Sequence, residues 1–71
     1  MRHILQRQLE NGSWPTVGMN DQIPMSGSYW AAVRHAEDWA HHSKRAVRVC
    51  SWHEHNYYRN ETPDRVQLVR P

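Results

Sequence analysis

The chain has 71 residues, with nine Lys and Arg against seven Asp and Glu, six His, four Trp, three Tyr, no Phe and one Cys. That length allows one small domain, residues 1–71, which buries only about 60% of the surface its unfolded chain exposes, so the core is thin and must draw on Trp. No apolar run approaches the ~18 residues of a membrane span, Met1 to Arg7 has no apolar h-region of a secretory signal, and the lone Cys50 excludes an internal disulfide framework and points to a reducing, cytoplasmic setting.

The first predicted element is a hairpin. Asn11-Gly12 is the strongest two-residue hairpin signal, because a type I′ turn needs positive φ at both positions. Centred there, the turn sets Leu9 opposite Trp14 and Leu5 opposite Gly18, and Pro15 marks the second strand as an edge. Residues 20–27 read as loop.

A helix is predicted over about 28 to 43, capped by Ser26 or Ser28. Tyr29, Ala32, Val33, Ala36, Ala40 and Ser43 recur at the i, i+3, i+4, i+7 spacing of one helical face, with Trp39 at its border. Trp30 projects away from that stripe, either as an exposed anchor beside Arg34, Glu37 and His41 or folded back over Ile23 or Met25.

Residues 45–52 predict a strand with Val47 and Val49 on one face and Arg48, Cys50 and Trp52 on the other. Residues 65–70 predict another, with Val66 and Leu68 inward. The order strand, strand, helix, strand, strand predicts an α+β domain, ββαββ, with an antiparallel sheet in the order 2-1-3-4 and one helix packed on one face. The opposite face, carrying Arg48 and Trp52, has no second layer to cover it.

The functional candidates are binding residues more than catalytic ones. His35, Asp38 and His42 stand at i, i+3 and i+7, on one side of a helix, and are acceptable zinc ligands. No zinc spacing such as His-Glu-x-x-His accompanies them, and the expectation is no metal and no cofactor. Cys50 and His53 point to opposite faces of an extended segment. Among Gly12, Gly18 and Gly27 there is no phosphate-binding loop, and no serine sits in a nucleophile elbow. These absences predict a protein that is not an enzyme.

The C-terminal part is the basic one. Residues 44–71 carry Lys44, Arg45, Arg48, Arg59, Arg65 and Arg70 against Glu54, Glu61 and Asp64. Within it Arg45, Arg48 and Arg59 mix with Trp52, His53, Tyr57 and Tyr58, a composition that suits protein hot spots and unpaired nucleic acid alike. With Trp30, these residues form the predicted partner-binding set. An uncovered sheet face or edge strand also leaves room for a homodimer.

The run Arg7-Gln8-Leu9-Glu10-Asn11-Gly12-Ser13-Trp14, a helix with spaced alanines, and then Arg45-Ala46-Val47-Arg48-Val49 resembles in layout small phage and prophage accessory proteins of the anti-CRISPR type. The resemblance covers the arrangement of the chain, without a diagnostic motif, and carries no residue role across. It implies a non-enzymatic protein-binding module that inhibits a host nucleoprotein complex. The mild basicity favours an acidic protein patch, or the RNA or DNA of such a complex, as partner. The alternatives are a small basic nucleic-acid-binding protein using the Arg and aromatic sheet face, and a His-based metal-binding domain.

Overall fold

A computed structural model describes residues 1–16, 20–56 and 62–71. The elements are β1 (Arg2–Arg7), β2 (Gln22–Met25), α1 (Tyr29–Ser43), β3 (Val47–Trp52), a short 3-10 turn (Glu54–Asn56) and β4 (Arg65–Val69). The strands form one antiparallel sheet in the order β2-β1-β3-β4, and α1 packs across it. This is the expected ββαββ domain. Among the described residues, no helix is long and apolar enough to cross a membrane.

The helix forms where its alanine stripe and its cap require. Ser28 is extended, and its hydroxyl accepts from the Ala31 N–H, satisfying one free donor of the first turn. Ala32, Ala36 and Ala40 are buried against Leu5, Val47, Val49 and Val69, and their small side chains let the helix axis lie close to the sheet. Tyr29, Val33, Trp39 and Met25 ring this core and are half-buried. At the helix end Lys44 adopts the left-handed conformation, φ 57°, a position that glycine occupies more easily.

Two strand assignments change. The turn after β1 is not type I′: the Gly12 N–H donates to the Leu9 carbonyl and the Leu9 N–H to the Ser13 carbonyl, and only Gly12, φ 87°, is left-handed there. That pattern fits a three-residue loop closed by a glycine bulge. The strand that pairs with β1 comes later in the chain than expected. Leu5 lies opposite Ile23 and Ile4 opposite Pro24, so the segment read as loop supplies the edge strand, and Pro24, not Pro15, is the edge proline. The expected partner Gly18 lies outside the described residues.

In β4 the phase is reversed. Val69 opposes Val47 on the helix face and is buried, whereas Val66 and Leu68 oppose Cys50 and Arg48 on the other face and remain 49% and 43% exposed. Apolar alternation cannot set the phase of an edge strand whose outer face is left partly open.

Candidate functional site

The sheet face away from the helix is not bare. Its rows, set by register, are Gln22-Gln6-Arg48-Leu68 and Pro24-Ile4-Cys50-Val66. Gln6, buried at the centre, uses both ends of its amide. Its Nε2 donates to the Pro15 carbonyl (3.0 Å) and to Gln22 Oε1 (2.8 Å), and its Oε1 accepts from Arg48 Nε (2.7 Å) and Cys50 Sγ (3.5 Å). The Arg48 guanidinium lies over the Trp14 ring, 4.7 Å from its centroid, a cation–π contact. Residues 14–16 are thereby tied down across the sheet, and Ile4, Cys50 and Trp52 form a second small core. Burial pushes the Cys50 thiol above its ordinary pKa, with Arg48 pulling the other way, so this thiol is not an activated nucleophile.

Trp52 is therefore corrected from a binding residue to a core residue: it is 2% exposed and offers no ring for stacking. Arg48 is half-buried and engaged by Gln6 and Trp14.

Beyond Trp14, at one end of the sheet, lies an open groove of about 840 Å³. Its walls come from three junctions: the turn after β1, the link from α1 to β3, and the end of β4. The antiparallel order brings these together, because the end of β1, the start of β3 and the end of β4 all lie at the same end. Local bonds hold the walls. Asn11 Oδ1 accepts from the Ser13 N–H and hydroxyl, Gln8 Nε2 donates to the Gly12 carbonyl, and the Gln8 N–H donates to the Ala46 carbonyl. Arg45 Nη1 donates to the Gln8 carbonyl at 3.3 Å. Lys44, Arg45 and Arg70 line the groove with Glu10 as the single acid among the described residues, and Leu9, Trp14, Leu68 and Pro71 supply apolar surface.

No protein-family model, curated protein or solved structure matches this chain.

The remaining predicted residues do not share one surface. Trp30 is 71% exposed on the helix layer, edge-on to Tyr29 at 5.3 Å, and does not fold back over Ile23, itself 42% exposed. His53 sits at the opposite end of β3 from the groove. There the strand has given way to the 3-10 turn, the His53 N–H donates to Asp64 Oδ2 (2.8 Å), and its ring stacks on His55. Tyr57, Tyr58 and Arg59 lie outside the described residues. His42 Nδ1 stands 3.3 Å from Asp38 Oδ1 in an exposed pair. Among the described residues no three His, Cys, Asp or Glu side chains gather round a point that could hold a metal ion, so His35 does not join that pair.

Sequence reasoning also passed over His3. Its ring is buried, with Nδ1 2.6 Å from Ser51 Oγ and Tyr29 edge-on at 5.8 Å. Burial lowers its pKa below 6.5, the N-terminal ammonium and Arg65 lower it further, and a hydrogen bond to the Gly27 backbone opposes them. The serine–histidine pair lies on the helix face of the sheet and is buried, His3 at 2% and Ser51 at 0% exposure. Arg70 and Trp14 were passed over as well, and Lys44 was read only as part of the basic stretch. The predicted strand order held the signal for them, since it places those three junctions together.

Proposed function

We propose that this chain is a non-enzymatic protein-binding module that holds an acidic surface of its partner in the groove between Lys44, Arg45 and Arg70. The observation carrying this reading is the groove itself: among the described residues three cations and one acid line it beside apolar side chains, which is the charge and hydrophobic mixture of an interface core with a polar rim. Lys44 supports it further. The chain keeps a lysine at φ 57°, where glycine is less strained, and so places a cation on the rim at a conformational cost. The layout likeness to small anti-CRISPR proteins gives the partner a form, a host nucleoprotein complex in the cytoplasm, and the reading as an inhibitor rests on that likeness.

The test compares the wild type with Lys44→Glu/Arg45→Glu as bait for lysate at physiological salt. A protein retained by the wild type and lost from the double variant, with the circular dichroism of the two unchanged, supports the reading. Identical retained sets overturn it.

Trp14 favours a second reading, a nucleic-acid site, because an aromatic ring beside a groove lined by cations is how single strands are bound. Three phosphate contacts give a slope of about −2 in log K against log salt for a single strand. Fluorescence anisotropy of a labelled single-stranded probe at low and physiological salt measures it. Absence of binding at low salt dismisses nucleic acid and leaves the protein reading standing.

A further inference from the structure

The two edges of the sheet are unlike. β2 carries Pro24, which removes a backbone donor from that edge. The other edge strand, β4, contains no proline, and among the described residues no strand lies beyond it. It also leaves Val66 and Leu68 half exposed on one face, and on the other Trp30 stands 71% exposed at the rim of a trough that runs along Gln67 and Val69. An open edge with apolar residues on both sides is a template for another strand.

The sequence of β4 says which strand. A two-fold axis at Gln67 lays β4 antiparallel against itself, with Val66 opposite Leu68 of the second copy and Arg65 opposite its Val69. One residue beyond the strand on each side, Asp64 falls opposite Arg70 of the second copy, and by symmetry this ion pair forms twice. Sliding the pairing by one cross-strand step in either direction sets Asp64 against Leu68, or Arg70 against Val66, and both ion pairs are lost. The Gln67-centred register is thus self-complementary in charge and in apolar surface. The helix stays on its own face under this axis, so the two copies of α1 lie side by side and the two Trp30 rings face the seam.

We propose that the chain forms a homodimer by antiparallel pairing of β4 with β4 of a second copy, centred on Gln67, so that two four-stranded sheets become one. This interface shares Leu68 and Arg70 with the groove but not Lys44 and Arg45, so Lys44→Glu/Arg45→Glu leaves it intact and tells the two readings apart.

Sedimentation equilibrium across the micromolar range is expected to give twice the mass of a single chain. Arg70→Asp, which sets two carboxylates against each other, is expected to weaken association at least tenfold, and Asp64→Arg/Arg70→Asp, which swaps the pair, to restore it. In a Cys50→Ser background, Gln67→Cys is expected to form a disulfide-linked dimer on mild oxidation and Arg65→Cys to remain without a cross-link. A single-chain mass for the wild type into the millimolar range overturns the proposal. So does a dimer that is indifferent to Arg70→Asp and cross-links through position 65 instead of 67. Because Asp64 also accepts the His53 N–H, the Gln67→Cys result decides the register should the swapped variant fail to fold.

Discussion

A histidine ring enclosed by Tyr29, Ser51 and the Gly27 backbone is held neutral, because its protonated form would lose solvation and face both the N-terminal ammonium and Arg65. The folded chain therefore takes up a proton at His3 less readily than the unfolded chain, whose histidine titrates near 6.5. Above that value both states are neutral and stability is unaffected by His3. Below it the unfolded state binds the proton first, so stability falls as the pH falls. The urea midpoint is expected to be flat between about 7 and 8 and to drop on acidification from 6.5 toward about 5, before most carboxylates begin to titrate. His3→Gln is expected to flatten that drop, whatever it does to the midpoint at neutral pH. A wild-type midpoint unchanged across this window contradicts the account.

At the scale of elements, what was legible followed from periodicity. The alanines of α1 at 32, 36 and 40 repeat every helical turn and all three are buried, so both the helix and its inward face could be read. Val47 and Val49 fixed the phase of β3 in the same way, because a central strand is packed on the helix side whatever lies on the other. β2 was missed because Gln22–Met25 contains a proline and lies in a turn-rich stretch; only pairing with β1 makes it a strand. The phase of β4 was missed because the single buried residue, Val69, is outvoted by Val66 and Leu68 in the sequence. The alanine stripe also sets a measurable constraint. Ala36 is 0% exposed against the sheet, and Ala36→Leu is expected to destabilise by about 1–3 kcal/mol through overpacking. Thermal unfolding checks this; an unchanged midpoint means that the helix can lift without cost.

On the scale of the whole molecule, the groove belongs to no single segment. Lys44, Arg70 and Trp14 are far apart in sequence and become neighbours only because antiparallel strands return the chain repeatedly to one end of the sheet. Clustering along the sequence instead drew attention to 44–59 as one surface, where Trp52 turned inward. The same junctions couple binding to stability at Lys44. Lys44→Gly relieves the left-handed backbone and is expected to raise stability by as much as about 1 kcal/mol while weakening the partner interaction that Lys44 supports. Chemical denaturation beside a binding measurement checks both signs, and a Lys44→Gly variant that is less stable than the wild type removes the argument from strain.

Gln6 has a kinetic consequence. Its side chain bonds at once to the Pro15 carbonyl in the crossing segment and to Arg48 and Cys50 in β3, so the segment cannot lift while those bonds stay intact. Cys50, 1% exposed and beside Trp14, Pro15 and Thr16 at the same cavity, is then a clock for that event: a thiol reagent labels it when the segment lifts. In the limit of fast reclosing, the labelling rate divided by that of the unfolded chain gives the equilibrium constant for local opening. A value larger than that for global unfolding identifies residues 14–16 as a unit that detaches on its own while the helix and the central strands remain folded.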